Sequence, residues 1–296
     1  MNYGKRSTSK KRNALISRTS MLEKRAHVSF IRVLFTALIA VCVMVVCLGI
    51  GSFRGVIAGA PDVNDVDISP LGYATFLYDD QGTQIRQLSA PTSNRLPVSL
   101  DQIPVSLQHA VVAIEDERFY EHNGIDVRGI LRAGVKALTT GSFSEGASTI
   151  TQQLVKNMYK TRSQYSRGLL GSMPGLRLPI EKTKEWTAAL KLELFYSKKD
   201  ILEMYLNTVS FGSNAYGIFT ASKTYFNTTP DKLSYEQSAV LVGLLKAITK
   251  YNPYLNPENS INRRNVVLSQ LAGNKYITPQ VADSLKEIPL RLNYNI

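Results

Sequence analysis

The sequence EDERFYEHNG occupies residues 115–124, and the sequence GASTITQQLVKN occupies residues 146–157. The first segment places four carboxylates and one histidine within ten residues, and the second begins with small polar residues and has a lysine near its end. Charged side chains are rarely buried without partners, and a Thr-Gln-Gln run contributes little apolar area. Both segments are therefore typical of a functional site and not of a plain hydrophobic core.

A helical pattern precedes the first segment. Apolar residues recur at i, i+3, i+4 and i+7 from Leu107 to Ile114, with Pro104 near the start, so we predict a helix that ends at Glu115. The same criteria predict further helices at residues 147–160, 180–206, 214–226, 232–248, 261–272 and 279–288.

Extended structure is predicted only near the start of this region. Two short runs between residues 73 and 98 flank an Asp-Asp-Gln-Gly turn, which predicts a β-hairpin. Residues 161–176 are basic and rich in Gly and Ser, and we expect a mobile loop there. The sequence therefore predicts a mainly α domain that begins with a short hairpin.

The net charge of +12 is unevenly distributed along the chain. Residues 1–32 contain nine Lys and Arg residues and one Glu, which leaves 26 basic and 22 acidic residues for the remainder. The basicity is therefore a property of an N-terminal tail, and this tail lacks the interleaved aromatic residues of a nucleic-acid-binding segment. We expect no nucleic-acid partner.

An uncharged apolar stretch, VLFTALIAVCVMVVCLGI, follows the tail at residues 33–50. As a helix it would span roughly 27 Å, close to the ~30 Å hydrocarbon core of a bilayer. Basic residues precede it and acidic residues follow it, which predicts a cytoplasmic N-terminus and an outer C-terminal part. A cleavable signal peptide is the alternative, since Ala58-Gly59-Ala60 resembles a cleavage site. However, the apolar stretch is longer than the apolar core of a signal peptide, which usually has about 7–15 residues.

These observations divide the chain into four parts. We predict a basic cytoplasmic tail (1–29), a single-pass transmembrane anchor (30–53), a tether (54–72) and an extracytoplasmic domain (73–296). Both cysteines, Cys42 and Cys47, fall in the anchor. The outer domain therefore has no thiol for a disulfide, a metal site or a nucleophile, and its stability must come from packing.

Glu115 is the first candidate for chemistry. The apolar residues before it, Val111 among them, would place apolar surface on one side, and Arg118 and His122 would be within reach on the other. Such surroundings can raise the pKa of a carboxyl toward that of a general base. The alternatives are a solvated carboxylate at a helix end and, for His122, a satisfied core histidine.

The two segments form the patterns EDxxFxxHxG and GxSTITQQxxKN. Together they resemble the first two motifs of the peptidoglycan glycosyltransferases, the domain found in class A penicillin-binding proteins and in monofunctional transglycosylases. The family has a second glycine where this chain has Ala147. The matching residues are Glu115, Asp116, Phe119, His122 and Gly124 in the first motif, and Gly146, Ser148, Thr149, Ile150, Thr151, Gln152, Gln153, Lys156 and Asn157 in the second.

The resemblance implies that Glu115 is the catalytic base and that Lys156 faces a diphosphate. Roles in binding the sugars or phosphates of the substrate are implied for eight residues: Asp116, His122, Ser148, Thr149, Gln152, Gln153, Lys156 and Asn157. The alternative for the second segment is structural, with Ser148 as a helix cap. Both roles are compatible, since helix N-termini also bind anions.

The sequence EKTKE at residues 181–185 resembles the third motif of the family, whose pattern is Arg-Lys-x-x-Glu. Glu181 stands where the family has arginine, so a negative charge replaces a positive one, and we expect Arg177 or Lys184 to compensate. Lys182 is expected to support the diphosphate. Glu185 matches the second glutamate of the family, and we expect it to be buried, paired and catalytic by orienting substrate or a cation. A surface charge is the alternative.

Matches to the fourth and fifth motifs follow in order from Tyr205 to Arg264, and the resemblance covers roughly residues 75–290. We expect these later matches, including Arg263 and Arg264, to be mostly architectural. The resemblance implies a lysozyme-like, two-lobed helical domain behind the anchor. It also implies that the domain lies on the outer face of a bacterial inner (cytoplasmic) membrane.

The implied reaction is the polymerisation of lipid II into β-1,4 glycan strands, with inversion and release of undecaprenyl diphosphate. The implied partners are lipid II, the growing strand and the membrane, with transpeptidases and other cell-wall synthesis proteins as further candidates. Several carboxylates could support a divalent cation, Mg²⁺ or Mn²⁺, although no compact ligand set is evident.

Two other functions stay open. A lysozyme-like muramidase would share a helical fold and a lone glutamate but would not need the lysine motif. A non-catalytic cell-wall scaffold is the other, and Glu181 gives it some support. No Ser-x-x-Lys motif occurs in residues 73–296, so we expect no penicillin-sensitive activity there. The sequence leaves open whether the chain is monofunctional or the front of a bifunctional protein.

Overall fold

The computed structural model describes residues 5–60, 75–88, 94–141, 146–159 and 177–294. The chain separates into two compact units, Met1–Ala58 and Gly59–Ile296. The loop predicted at residues 161–176 and most of the predicted tether lie outside the described residues. Both polar segments belong to the second unit, so its architecture positions the candidate site.

The first unit contains one long helix, α1 (Lys5–Ala58). Its segment Arg25–Ala58 is the one helix among the described residues that is long and apolar enough to cross a membrane, judged by length and composition alone. Its large apolar side chains are exposed, as in a helix that is surrounded by lipid. The helix also includes residues that we predicted as tail and tether, and the functional boundaries between those parts stay predictions.

The second unit begins with the predicted hairpin, which is confirmed. Strand β1 (Thr75–Tyr78) pairs antiparallel with β2 (Gln84–Leu88). The turn is stabilised by Asp79, whose Oδ1 accepts hydrogen bonds from the backbone N–H groups of Gln81 at 3.0 Å and Thr83 at 2.7 Å. An aspartate that bonds the backbone two residues ahead is a common turn-forming device.

Helices make up most of the rest of this unit, which confirms the mainly α prediction. Two short 3-10 helices, Leu100–Gln102 and Pro230–Lys232, accompany them. The α-helices are α2 (Val105–Glu115), α3 (Val127–Thr140), α4 (Ile150–Tyr159), α5 (Arg177–Phe195), α6 (Lys198–Thr208), α7 (Ile218–Phe226), α8 (Tyr235–Leu244), α9 (Pro257–Gly273) and α10 (Pro279–Lys286).

The helices pack in two groups around a shared core. Helix α2 packs against α8 and α9, and α10 packs against α9, whereas α4 packs against α5 and α6. Fully burying a large apolar side chain stabilises a fold by about 1.5–3 kcal/mol. Buried apolar side chains from both groups form one continuous cluster, which includes Leu107, Leu154, Leu192, Tyr205, Leu241 and Leu268.

The single helix predicted at residues 180–206 is wrong, because α5 ends at Phe195 and α6 begins at Lys198. Ser197 and Asp200 form a capping box between them. Ser197 Oγ accepts from Asp200 N at 3.2 Å, and Asp200 Oδ2 accepts from Ser197 N at 2.9 Å. This reciprocal pairing satisfies N–H groups that a new helix leaves without partners, so the chain restarts there.

Two further differences concern a missing helix and a helix start. The sequence analysis did not predict helix α3. Asp126 caps the start of this helix by accepting a hydrogen bond from Gly129 N at 2.9 Å. Helix α7 begins at Ile218 and not at residue 214, because Ser213, Asn214 and Gly217 have positive φ angles of 50°, 56° and 77°. A run of left-handed residues forms a turn and not a helix.

Candidate active site

Glu115 lies at the last residue of α2, and two side chains from other helices fix it in place. Nε2 of Gln153, on α4, donates to Oε2 of Glu115 at 2.8 Å. Oε1 of Gln153 accepts in turn from the hydroxyl of Tyr205, on α6, at 3.2 Å. Because α4 packs against α6, this chain of two hydrogen bonds orients the carboxylate through the core.

The surroundings of Glu115 raise its pKa. Burial is the largest cause, since it disfavours the charged form, and the charge of Asp116 adds to it. The hydrogen bond from Gln153 and the positive charges of Arg263 and Lys246 act in the opposite direction without cancelling the burial. The result is a carboxylate that is more basic than an ordinary glutamate, which confirms the direction expected from the sequence.

Tyr205 stays a neutral hydrogen-bond donor. Its ring is completely buried, and burial together with the charges of Glu115 and Asp116 raises its pKa well above the ordinary value. An ionised phenol could only accept hydrogen bonds. The orientation of the Gln153 amide, and therefore of the N–H group that faces Glu115, follows from this neutral hydroxyl.

A cavity of about 440 Å³ opens beside Glu115. Lys246 and Arg263 line it, and both were missed as site residues by the sequence analysis, which took Arg263 as architectural. Lys246 follows the end of α8, and Arg263 lies on α9, so both are far from the motifs along the chain. The packing of α2 against α8 and α9 brings them close to Glu115. Arg264 does match the architectural expectation, since Nη1 and Nη2 donate to the backbone oxygens of Ile288 and Lys286 at 2.6 Å and 2.7 Å.

The sequence placed Arg118 within reach of Glu115. Both residues line the cavity, but Nη2 of Arg118 pairs with Asp126 Oδ2 at 2.6 Å and Nη1 contacts Glu117. Nη1 of Arg132 also pairs with Glu117 Oε1, at 2.6 Å. These four charged residues line the same cavity as Glu115. The bond from Arg132 is the largest of several causes that lower the pKa of Glu117.

Asp116 and His122 pair with each other behind Glu115. Nε2 of His122 lies 2.9 Å from Oδ1 and 3.1 Å from Oδ2 of Asp116, which is buried. Oδ2 of Asp116 also accepts from the backbone N–H of Ile150, the first residue of α4, at 3.0 Å. A carboxylate at a helix N-terminus is electrostatically favourable. The first motif is thereby joined to the second; substrate contacts by Asp116 and His122 stay predictions.

Thr149 and Gln152 also connect the two motifs. Thr149 Oγ1 donates to the backbone oxygen of Gly124 at 2.8 Å and accepts from Gln152 N at 3.2 Å. Nε2 of Gln152 donates to the same Gly124 oxygen at 3.0 Å. Both side chains are buried. The capping role proposed for Ser148 therefore falls to Thr149. Thr149 also lines the cavity, and the substrate contacts of Thr149 and Gln152 stay predictions.

Ser148 instead contacts the third motif. Nζ of Lys182 lies 2.9 Å from Ser148 Oγ and 2.7 Å from Glu185 Oε2. The Glu185 side chain is 1% exposed, so the predicted burial and pairing are confirmed. Glu181 is also buried, and its Oε1 accepts from Nε of Arg177 at 2.9 Å. The contact of Arg177 with Glu181 agrees with the expectation that Arg177 compensates for the negative charge at this position.

Of the predicted substrate-binding residues, Asp116, Ser148 and Thr149 line this cavity. Its described lining does not include the other eight, which are His122, Gln152, Gln153, Lys156, Asn157, Arg177, Lys182 and Lys184. Glu193 was not predicted at all: its Oε1 accepts from Thr151 Oγ1 at 2.6 Å and contacts Lys198 Nζ at 2.8 Å. This buried carboxylate joins α4 to α5.

No metal ligand set emerges within the described ranges. In those residues no three His, Cys, Asp or Glu side chains are placed to share one ion. Asp116 is already engaged by His122 and Ile150, and Glu115 by Gln153. Use of a divalent cation stays a prediction without a defined site.

The sequence of this chain is similar to the sequences of known proteins. The sequence profile of a family described as transglycosylase matches residues 81–272. Penicillin-binding protein 1A of Escherichia coli is 37% identical over 260 residues, which cover 87% of this chain and 29% of that protein. Penicillin-binding protein 1F of Bacillus subtilis is 39% identical over 206 residues, which cover 70% of this chain and 27% of that protein.

A solved relative is the 2.6 Å crystal structure of penicillin-binding protein 1A from Haemophilus influenzae. It superposes with a TM-score of 0.43 at 22% identity, over 76% of this chain and 22% of that chain. The chain thus spans less than a third of the length of each of these relatives.

Proposed function

Because this chain belongs to the transglycosylase family, we propose that it is a peptidoglycan glycosyltransferase that polymerises lipid II into β-1,4 glycan strands. The observation that carries the proposal is Glu115, a carboxylate of raised pKa that lines a cavity together with Lys246 and Arg263. Such a cavity combines one basic carboxylate with cations, which suits a substrate that carries both a sugar hydroxyl and a diphosphate.

The sugar hydroxyl needs a base. In the proposed reaction the 4-hydroxyl of an acceptor GlcNAc attacks C1 of the MurNAc that carries the diphosphate, and the configuration at C1 inverts. A hydroxyl is a poor nucleophile near neutral pH, so a carboxylate must take its proton as the bond forms. Glu115 would take that proton, and the hydrogen bond from Gln153 would hold the carboxylate toward the cavity.

The leaving diphosphate needs positive charge. Negative charge accumulates on it as the C1–O bond breaks, and lysine and arginine side chains stabilise such charge. Lys182 beside Ser148 is the candidate supported by contact with a cavity residue, and Lys246 and Arg263 lie in the cavity wall. We keep Lys156 as a further candidate from the motif. Release of undecaprenyl diphosphate needs no strong acid, in contrast to glycoside hydrolysis.

Glu185 would act by placing Lys182. Its carboxylate is buried against the helix bundle and lies 2.7 Å from the lysine ammonium. A buried carboxylate paired in this way is poorly suited to be the second acid of a glycosidase. This contact favours transfer from a lipid diphosphate over the muramidase alternative.

The long apolar helix gives the proposal its location. An anchor on the same chain would keep the site beside a substrate that is itself held in the bilayer, which raises the effective concentration of that substrate. With the basic tail on the cytoplasmic side, the second unit would lie outside the inner membrane of a bacterium. Partners there would be lipid II, the growing glycan strand and proteins of cell-wall synthesis such as transpeptidases.

The test is glycan polymerisation from purified lipid II in detergent, with wild type and Glu115→Gln compared on a sizing gel. We expect long chains from wild type and none from the variant, with lipid II binding retained. Polymerisation at the wild-type rate by Glu115→Gln would remove Glu115 as the base. Shortening of added glycan would indicate a muramidase, and no product from either protein would favour the scaffold.

A further inference from the structure

Two buried carboxylates on one face of α5 each hold a cation. Glu181 and Glu185 are one turn apart, and their side chains are 4% and 1% exposed. Arg177 Nε lies 2.9 Å from Glu181, and Lys182 Nζ lies 2.7 Å from Glu185. Charged groups are seldom buried unless a partner offsets the cost. The two carboxylates lie about 6 Å apart along the helix axis, and their cations precede them by four residues and by three residues.

The cations of these pairs are accessible although the carboxylates are not. The side chain of Arg177 is 59% exposed and that of Lys182 is 32% exposed. Lys182 also contacts Ser148, which lines the cavity beside Glu115. A guanidinium carries five N–H donors in a planar fork, and Arg177 contacts Glu181 through Nε.

We propose that Glu181 is a positioning residue whose carboxylate holds Arg177 one helical turn from the Lys182–Glu185 pair, so that Arg177 supplies a second cation to the diphosphate of the lipid-linked donor. The proposal rests on the function proposed above. In this arrangement the negative charge of Glu181 fixes Arg177. Arg177 then replaces the arginine that the family pattern has at position 181, so the site keeps a guanidinium group.

The first test compares Michaelis constants for lipid II among Arg177→Ala, Glu181→Gln and the combination of both. Glu181→Gln keeps the size of the side chain and removes its charge. We expect each single variant to raise KM by about tenfold, in the range of one charge-assisted contact, with kcat less affected. The double variant should add little to either single change, because Arg177 acts only when it is held. Lys199→Ala, which removes an exposed lysine on α6, is the control for lost positive charge.

The second test exchanges the two residues. Arg177→Glu alone should impair KM more than Arg177→Ala, because it places a repulsive charge near the diphosphate. Arg177→Glu combined with Glu181→Arg restores an i,i+4 pair, but it places the carboxylate at the exposed position and the guanidinium at the buried one. We therefore expect KM to stay raised at least as much as in Arg177→Ala. A KM in the exchanged variant within about threefold of wild type, or an unchanged KM in Arg177→Ala, would overturn the proposal.

A binding experiment tests the positioning role of Glu181 independently of the proposed glycosyltransferase activity. Inorganic pyrophosphate is titrated into the detergent-solubilised full chain by calorimetry, with wild type, Glu181→Gln and Lys199→Ala. Of the two variants, we expect only Glu181→Gln to weaken the affinity for pyrophosphate, by about tenfold. If wild type made no glycan, the proposed function would fail while this arm still reported on the cation pair. Equal pyrophosphate affinities in all three proteins would overturn the positioning role even in an active enzyme.

Discussion

Nε2 of Gln153 lies 2.8 Å from Oε2 of Glu115, and the hydroxyl of Tyr205 holds the other end of the same amide. The two hydrogen bonds join α2, α4 and α6 at the carboxylate that carries the proposed chemistry. The orientation of Glu115 is thus set by buried groups that do not themselves need to meet the substrate, and this has measurable consequences.

Gln153→Leu should lower kcat/KM for polymerisation by about tenfold, because the variant removes the hydrogen bond that orients Glu115 and favours its ionised form. Tyr205→Phe removes only the hydroxyl and should have a smaller effect. Since Tyr205 acts through Gln153, the double variant should resemble Gln153→Leu alone. Steady-state kinetics of the four proteins measure this, and additive losses would contradict the relay.

The pH dependence of kcat/KM reports on the positive charges near Glu115. A base must be deprotonated, so activity should rise with pH through the pKa of Glu115, which burial raises above the ordinary glutamate value. Arg263 and Lys246 lower this pKa. Arg263→Gln should therefore move the acid limb to higher pH, Lys246→Gln should move it less, and Lys223→Gln on α7 should leave it in place. Acid limbs that coincide in all proteins would exclude this electrostatic role.

Burial of Glu115 also predicts that the carboxylate needed for activity lowers the stability of the fold at neutral pH. A carboxyl whose pKa is higher in the folded state than in the unfolded state stabilises the fold at low pH, and this contribution is lost as pH rises through the folded pKa. Glu115→Gln has no such loss. We expect its thermal midpoint at neutral pH to equal or exceed that of wild type, and the difference to shrink as the solution is acidified. A midpoint clearly below wild type at neutral pH would show that the carboxylate stabilises the fold.

The sequence could predict the parts of this site that lie within one segment. Glu115 follows from a helical pattern that stops at it, and the burial of Glu185 follows from apolar residues on the same face of its helix. Lys246 and Arg263 could not be found in this way, because their role depends on how α8 and α9 pack against α2. No local periodicity encodes that arrangement.

Two misses in the fold have different physical causes. The break between α5 and α6 was visible as a Ser-x-x-Asp capping signal at Ser197, but a continuous helical pattern on both sides concealed it. Helix α3 carries Val127, Leu131, Val135 and Leu138 at helical spacing, and the structure leaves these side chains exposed. The periodic pattern was therefore present in the sequence, but it marks an apolar stripe on the surface of this unit and not a face of its core.

Gly124 closes the first motif where it meets α5, and it should not tolerate a side chain. Its φ is +82°, and a Cβ there would lie 2.9 Å from the backbone oxygen of Ala189. Strain at such a position costs about 1 kcal/mol or more, and the clash with backbone adds to it. Gly124→Ala should therefore lower the thermal midpoint. Because Thr149 and Gln152 both donate to the Gly124 oxygen, the variant should also displace the second motif and lower activity.

Gly134→Ala is the matched control, since that glycine lies inside α3 with open space around it. This change should raise helix stability by up to about 1 kcal/mol. Equal midpoints for the two variants in a thermal melt would show that the contact between Gly124 and α5 can relax.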